Sequence, residues 1–357
     1  MNSQIGVFAQ EWGTTPFLNE EYVVQILQID NVIIGGIYSC LPKRCEDNLA
    51  RCTEIYNDEK KALSVVRASG IKSRRVVEPG TSSLDLCIKA AEGLLKDNVM
   101  ERDNIGAVID VTFTPERTMP CNACQAQRRL GLPMDMAAFD INLACSGWSY
   151  GLYVAGMFAK ATNKEVLLLD GDTQTPYMEA SDIATVPVMA DAGTATLVSP
   201  TNYSLGKPWQ FAFLTNGAKG DVLTLPFGGK ISMDGLGIFK FVAMDVLYLI
   251  RDFMKEIGET PECLDAFVPH QANIFMIQQI AKKLNFAPEQ LWVSGDVFGN
   301  SSSATVPTTI AYCGPKNGAD KERRRLLVSG FGGGLSAAVG LIDIKKDCKL
   351  KVFDYEA

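Results

Sequence analysis

One cysteine, the single histidine, one asparagine and a short glycine run carry the chemistry this chain can do. Cys145 follows the apolar stretch AAFDINL and precedes Ser146, Gly147 and a helical run, WSYGLYVAGMFAK. A cysteine between a buried strand and a helix start sits where unpaired backbone N–H groups and the helix dipole favour its thiolate. Gly147 permits the tight approach that such a turn needs. His270 ends the strand-like run LDAFVPH and precedes Gln271, Ala272, Asn273 and a helix. That is the C-terminal end of a strand, where the active groups of α/β folds gather. Asn300 lies in Gly299-Asn300-Ser301-Ser302-Ser303, ahead of a short helix over 304–312. An asparagine there serves either as a turn or cap residue or as a catalytic amide. Phe331-Gly332-Gly333-Gly334-Leu335-Ser336 lies between two strand patterns rather than between strand and helix. This context argues against a dinucleotide fingerprint. Consecutive glycines between strands can instead bring a backbone N–H to a substrate oxyanion.

The whole chain sets bounds on that chemistry. Its 357 residues are about two domains' worth at roughly 150 residues each. Hydrophobic residues make up 47% and charged ones 21%, an ordinary globular balance that allows a large core. With 34 basic and 41 acidic residues the net charge is 34 − 41 = −7. Such a surface disfavours nucleic-acid binding and electrostatic attachment to an anionic membrane. No apolar run approaches the ~18 residues of a membrane-spanning helix. The start, MNSQIGVFAQEWGTTPF, lacks the basic and apolar regions of a secretory signal, so a cytoplasmic protein is expected. A single histidine excludes multi-histidine metal sites and any mechanism that needs two imidazoles. The ten cysteines are expected to be reduced, and most of them buried. Cys121-Asn122-Ala123-Cys124 is a lone CxxC without the second pair of a zinc ribbon, and a redox role on so short a match is a minor alternative.

Strands and helices must alternate to position these groups. Buried strands are expected at 31–37, 107–112, 138–143, 166–170 and 195–199, then at 266–269, 291–294, 325–329 and 337–344. Apolar spacing predicts helices over 82–97, 239–257 and 273–284, the first behind a Thr81-Ser82-Ser83 start signal. Alternating βα units argue for a layered α/β architecture of two similar halves. The polar, turn-rich stretch 200–235 is the natural divide. The expected units are an N-terminal extension over 1–30, a half with Cys145 over 31–200, and a half with His270 and Asn300 over 201–357.

In this order and context the segments closely resemble the thiolase-fold condensing enzymes, specifically the β-ketoacyl-ACP synthase III family. The resemblance runs from about Asn31 to Ile344. It includes SGIKSRRVVEPG at 69–80, TFTPERTMPCNACQAQRRLG at 112–131, DINLACSGWSYGL at 140–152 and MADAGTATLV at 189–198. It continues through MDGLGIFK at 233–240, VPHQAN at 268–273, GNSSSATVP at 299–307 and FGGG at 331–334. The resemblance implies a five-layered α-β-α-β-α fold of two βαβαβαββ-type halves, and a homodimer. It makes Cys145 the acyl-accepting nucleophile, with His270 and Asn300 completing the triad. A thioester would acylate Cys145, splitting one condensation into two steps. A malonyl-type thioester would then lose CO₂, its enolate oxygen held by His270 Nε2–H and the Asn300 amide, and attack the acyl group. The N–H groups of Cys145 and Gly333 would form a second oxyanion hole. The implied substrates are coenzyme A (CoA) or acyl-carrier-protein (ACP) thioesters, with no metal or redox cofactor. Met119, on a loop expected to cross into a second copy, occupies the position that commonly closes the acyl tunnel.

Four positions depart from the family pattern. A tryptophan that stacks on adenine usually lies six residues before the glycine of Gly-Ile-Arg. Here that residue is Ser64, and the motif's third residue is Lys72. The docking arginine after His-Gln-Ala-Asn is Phe275, and the asparagine of M-x-G-N is Leu236. Trp12 or Trp148 is the alternative source of a stacking ring. The chemistry looks intact while the carrier-recognition positions, Ser64, Lys72 and Phe275, look altered. That implies a specialised relative rather than the housekeeping initiator of fatty-acid synthesis. The rival readings are a Cys–His–Asn hydrolase, non-decarboxylating acyl transfer or thioester hydrolysis on this same fold, and a partner subunit of a heterodimeric synthase.

Overall fold

The computed structural model describes residues 23–201, 207–318 and 320–356. In chain order the first half contains β1 (Leu27–Ile29), β2 (Val32–Leu41), β3 (Cys45–Asp47), α1 (Asn48–Tyr56), α2 (Glu59–Ser69) and β4 (Ser73–Arg75). Then come α3 (Ser83–Lys96), β5 (Ile105–Val111), α4 (Asn122–Leu130), β6 (Ala137–Ile141), α5 (Gly147–Thr162), β7 (Glu165–Thr173) and β8 (Asp191–Pro200). The second half contains β9 (Trp209–Thr215), β10 (Leu223–Thr224), β11 (Ser232–Met233), α6 (Gly235–Phe241), α7 (Leu247–Glu256), β12 (Ala266–Pro269) and α8 (Ile274–Lys283). It closes with α9 (Gly295–Phe298), α10 (Thr305–Cys313), β13 (Arg323–Gly332), β14 (Ser336–Lys345) and β15 (Lys349–Asp354).

Two sheets organise these elements, in the orders β15-β2-β8-β7-β5-β6 and β1-β9-β14-β13-β12. The pairings repeat between the halves. β2–β8 and β8–β7 are antiparallel and β7–β5 and β5–β6 parallel, just as β9–β14 and β14–β13 are antiparallel and β13–β12 parallel. Each sheet takes one edge strand from the far end of the chain: β15 pairs with β2, and β1 pairs with β9.

Apolar side chains fix five layers. Between the sheets, Trp148, Leu152 and Ala155 of α5 and Val306 and Ile310 of α10 pack on Ile109, Val166, Leu168, Val268 and Val328. Outside the first sheet, Leu84, Ile88 and Leu94 of α3 and Ala126 of α4 cover Val108, Leu167 and Leu169. Outside the second, Phe241, Ile250 and Phe253 cover Phe267, Leu327 and Leu341, together with Ile280 of α8. Strands covered on both faces read as continuous apolar runs, which is why LLL at 167–169 serves two layers. The α3 start is a capping box: Ser82 accepts from the Asp85 N–H, and the Asp85 carboxylate accepts from the Ser82 N–H.

Three expectations are corrected. The strand expected over 291–294 is reduced to a single parallel bridge, Phe267 to Leu291, at the position that β6 holds in the first sheet. Gln271 explains the loss, because its Oε1 accepts the N–H groups of Ser294 and Gly295 and draws them out of strand register. The divide over 200–235 is not merely turns, since β9 lies within it and pairs on both sides. Its aromatic alternation, Trp209-Phe211-Phe213, was the available signal. The helix expected over 239–257 begins earlier, at Gly235, and passes through a π-turn at Val242–Val246.

Gly147 shows how closely α5 approaches the sheet: a Cβ there would lie 2.4 Å from Val111 Cγ1. Gly147→Ala is expected to destabilise the protein by about 1–3 kcal/mol through overpacking. Denaturant unfolding checks this as a lower midpoint at unchanged slope; an unchanged midpoint would mean that the approach is not tight.

Candidate active site

Four chain segments converge on one cavity of about 750 Å³. The turn from β6 into α5 supplies Cys145, and the end of β12 supplies His270. The loop ahead of α10 supplies Asn300, and the turn between β13 and β14 supplies Gly332, Gly333 and Gly334. All three expected triad residues are therefore brought together, each nearly buried; Cys145 is 9% exposed. The glycine run makes room for the sulfur. A Cβ on Gly332 would stand 2.8 Å from Cys145 Cβ and 2.9 Å from its Sγ.

Ser302 ties the three triad residues together. Its φ of 59° is in the left-handed region that non-glycine residues rarely adopt. This turn aims its N–H at Asn300 Oδ1 (2.9 Å) and its carbonyl oxygen at the Thr305 hydroxyl (2.8 Å). Its own hydroxyl points at Cys145 Sγ, 3.9 Å away. With Asn300 Oδ1 engaged, the amide presents Nδ2 to the cavity as a donor.

His270 Nδ1 lies 2.7 Å from Thr305 Oγ1. The Thr305 hydroxyl gives its proton to Ser302 O and also accepts from the Gln271 N–H at 3.2 Å. Its remaining capacity is as an acceptor, so His270 Nδ1 carries the ring proton and Nε2 keeps its lone pair. The Nε2–H donor expected in the condensation step is therefore the other tautomer. Burial pushes the imidazole pKa down to about 3, opposed only by a bond to the Ser302 carbonyl.

The thiol is moved the other way. Burial pushes Cys145 up to about 12; the Ser302 hydroxyl opposes the shift, and Asp172 and Asp170 add to it. The shift is opposite to the thiolate expected from a helix start, and burial is its largest cause. Asp172 Oδ1 is held by Thr112 Oγ1, the Phe113 N–H and Thr114 Oγ1, and burial lifts its pKa to about 7. The resting site is a neutral thiol beside a neutral imidazole.

The remaining expected residues lie elsewhere. Met119 is 84% exposed and off this chain's cavity wall, although Arg117 and Thr118 line it. Ser64 and Lys72 are exposed and line no part of the cavity, and Lys72 Nζ lies 3.6 Å from Asp296. Phe275 is 47% exposed, outside the cavity but flanked by the lining residues Asn273 and Met276. Leu236 is likewise exposed beside Gly235. Trp148 is not an available stacking ring, since it is fully buried with its indole N–H on Thr196 Oγ1. Trp12 lies outside the described residues. The Cys121 and Cys124 sulfurs are 3.4 Å apart at the start of α4, away from the cavity lining. Sequence reasoning missed the roles of Ser302 and Thr305, which stood unremarked inside the GNSSSATVP segment. It missed Gln174 as well, for which no sequence signal existed.

Comparison with known proteins follows this geometry. Family models described as 3-oxoacyl-[acyl-carrier-protein (ACP)] synthase III match residues 139–217, and as its C-terminal part residues 254–344. A β-ketoacyl-[acyl-carrier-protein] synthase III of Clostridium novyi is 32% identical over 287 residues, covering 77% of this chain and 88% of that one. The chain belongs to the β-ketoacyl-ACP synthase III family. A crystal structure of a 3-oxoacyl-(acyl-carrier protein) synthase from Burkholderia xenovorans superposes with a TM-score of 0.88 at 30% identity, over 93% of this chain and 99% of that one. The priming β-ketosynthase of the R1128 polyketide pathway shares the fold, with a TM-score of 0.79 at 24% identity over 92% and 99% of the two chains. The fold is thus the thiolase fold of these synthases. Among the described residues no helix is long and apolar enough to cross a membrane.

A thiol raised to about 12 makes a specific prediction. Iodoacetamide alkylation of Cys145, followed by peptide mass spectrometry, is expected to accelerate steadily with pH beyond the ordinary thiol value of 9.0. A plateau near pH ~7 would instead reveal a preformed thiolate–imidazolium pair.

Proposed function

We infer that this protein is an acyltransferase that accepts an acyl group on Cys145 and condenses it, with decarboxylation, onto a malonyl-type thioester. The observation that carries this reading is the convergence of Cys145, His270 and Asn300 on one cavity beside a glycine turn. In the first step the bare His270 Nε2 takes the thiol proton as Sγ attacks the thioester carbon. The Cys145 and Gly333 N–H groups hold the oxyanion. Collapse expels the carrier thiolate, which recovers the proton from His270 and leaves acyl-Cys145.

In the second step the malonyl-type thioester breaks its carboxylate C–C bond and releases CO₂. Negative charge moves onto the thioester oxygen, where Asn300 Nδ2–H donates. His270 becomes the second donor when Thr305 turns its hydroxyl from Ser302 O to Nδ1 and the ring proton relocates to Nε2 through pocket water. The carbanion attacks the acyl carbonyl, a carbon–carbon bond forms, and the Cys145 thiolate leaves to take one proton from solvent. Neither step calls on a metal or redox cofactor.

Carrier recognition differs from the family pattern. Exposed Phe275 and Leu236 flank the cavity mouth where the family pattern has arginine and asparagine, and Ser64 offers no stacking face. These features support a carrier protein that docks partly through apolar contact, with weak use of acyl-CoA, in a specialised relative. A cytoplasmic homodimer making starter or secondary-metabolite acyl groups fits the reading. The half-buried edge strand β6, with Phe139 and Ile141, supports pairing with a second copy, and exposed Met119 would then close that copy's acyl tunnel.

Mass spectrometry of the protein with acyl thioester, then malonyl thioester, tests the reaction. A retained acyl adduct followed by a β-ketoacyl product is expected, and free acid alone would indicate a hydrolase. Cys145→Ala should abolish the adduct. Asn300→Ala should slow condensation about 10²–10³-fold while leaving acylation much less affected. Equal loss in both half-reactions would remove Asn300 from the enolate site.

The carrier is tested by kcat/KM for one acyl group on CoA and on several carrier proteins. The wild type should prefer a carrier protein by about one to two powers of ten, the worth of a lost stacking face. Phe275→Arg should change the ranking among carriers. Efficient acyl-CoA turnover with no response to Phe275→Arg would contradict the assignment.

A further inference from the structure

Gln174 places a fixed hydrogen-bond acceptor in the wall of an otherwise largely apolar cavity. It follows the end of β7, is 2% exposed, and lines the same cavity as Cys145. Its Nε2 donates both protons, to Ala190 O and to Asn300 O, each at 2.8 Å. Rotating the amide would turn its oxygen toward two carbonyl oxygens, so the orientation is locked. Among the described residues Oε1 has no partner, yet it is not sealed from solvent; it therefore opens onto the cavity. The lining of the same cavity includes Tyr177, Val188, Met189 and Ile231. Fully exposed Phe227 and the residues beside Phe275 lie at the mouth.

We propose that Gln174 Oε1 selects the acyl substrate, and that the class selected carries a hydroxyl group on its acyl chain. The inference rests on the acyl-transfer reading above and specifies its substrate. An alkyl chain laid against Oε1 strips water from an acceptor and returns nothing. A hydroxyl donates to it and remains neutral, whereas an ammonium would lose far more solvation on entering the same pocket. Because one of the two Nε2 bonds also holds the Asn300 carbonyl, the acceptor sits at a defined place relative to the triad.

The test compares matched thioesters on the full chain. Each short alkanoyl group is paired with its hydroxy-substituted counterparts, the hydroxyl moved along the chain, and Cys145 acylation rates are read by intact mass. The wild type should acylate one hydroxyacyl isomer about tenfold faster than its alkanoyl partner, the ordinary worth of one hydrogen bond. Gln174→Leu should reverse that ratio, and Gln174→Met provides a second apolar variant should the first not fold. A ratio between two substrates on one protein is insensitive to general loss of active enzyme. A wild-type ratio at or below one for every isomer would overturn the proposal while leaving the nucleophile assignment intact. If no thioester acylates Cys145, the acyl-transfer reading itself fails and this inference falls with it.

Discussion

The active centre depends on one strained turn. Ser302 holds a left-handed backbone that costs of order 1–3 kcal/mol for a non-glycine residue. From that one position its N–H, carbonyl and hydroxyl reach Asn300, Thr305 and Cys145. The turn is over-determined by its surroundings. Met189 bridges Asn300 in parallel register, Gln174 holds the Asn300 carbonyl, and Ser303 bonds Asp170 on β7. These partners all belong to the first half of the chain, while His270 and Asn300 belong to the second. The triad therefore exists only when the two halves are packed on the shared layer of α5 and α10.

Burial then sets the chemistry. A sulfur whose pKa is raised to about 12 and a ring lowered to about 3 cannot form an ion pair at rest. In the proposed reaction charge appears only when a thioester arrives and the backbone donors can share it, which is where preorganised dipoles in a dry site have their largest effect. The buried carboxyls follow the same rule. Burial lifts Asp110 and Asp170 well above the usual carboxylate range and Asp172 to about 7. The folded protein thus holds protons that an unfolded chain releases from about pH 4 upward, so these groups favour folding least at neutral and alkaline pH. Once ionised, Asp172 and Asp170 would add to the upward shift of the Cys145 thiol.

Much of this was legible in the residues. The apolar runs located most core strands, the 3–4 spacing located α3 and α8, and the segments around Cys145, His270, Asn300 and Gly333 are ones that line the cavity described above. What was not legible depended on contacts distant in sequence. Nothing local tells that Gln271 will take the Ser294 amide, with that of Gly295 beyond it, away from the strand expected at 291–294. Nor does local sequence show that β15 crosses back to the first sheet. The protonation states were misread because a helix start is visible in sequence, while the depth at which it is buried is not. The resting His270 tautomer is not a local property either, since it is decided by Thr305, 35 residues away.

His270 is the only histidine, so its imidazole nitrogens give a single pair of resonances free of overlap. Nitrogen-15 NMR of the intact protein, followed from about pH 5 to about pH 8, reads its tautomer and its titration directly. The account predicts a neutral ring protonated on Nδ1, with no titration across that range. A resting proton on Nε2, or a midpoint near the ordinary value of 6.5, would contradict it.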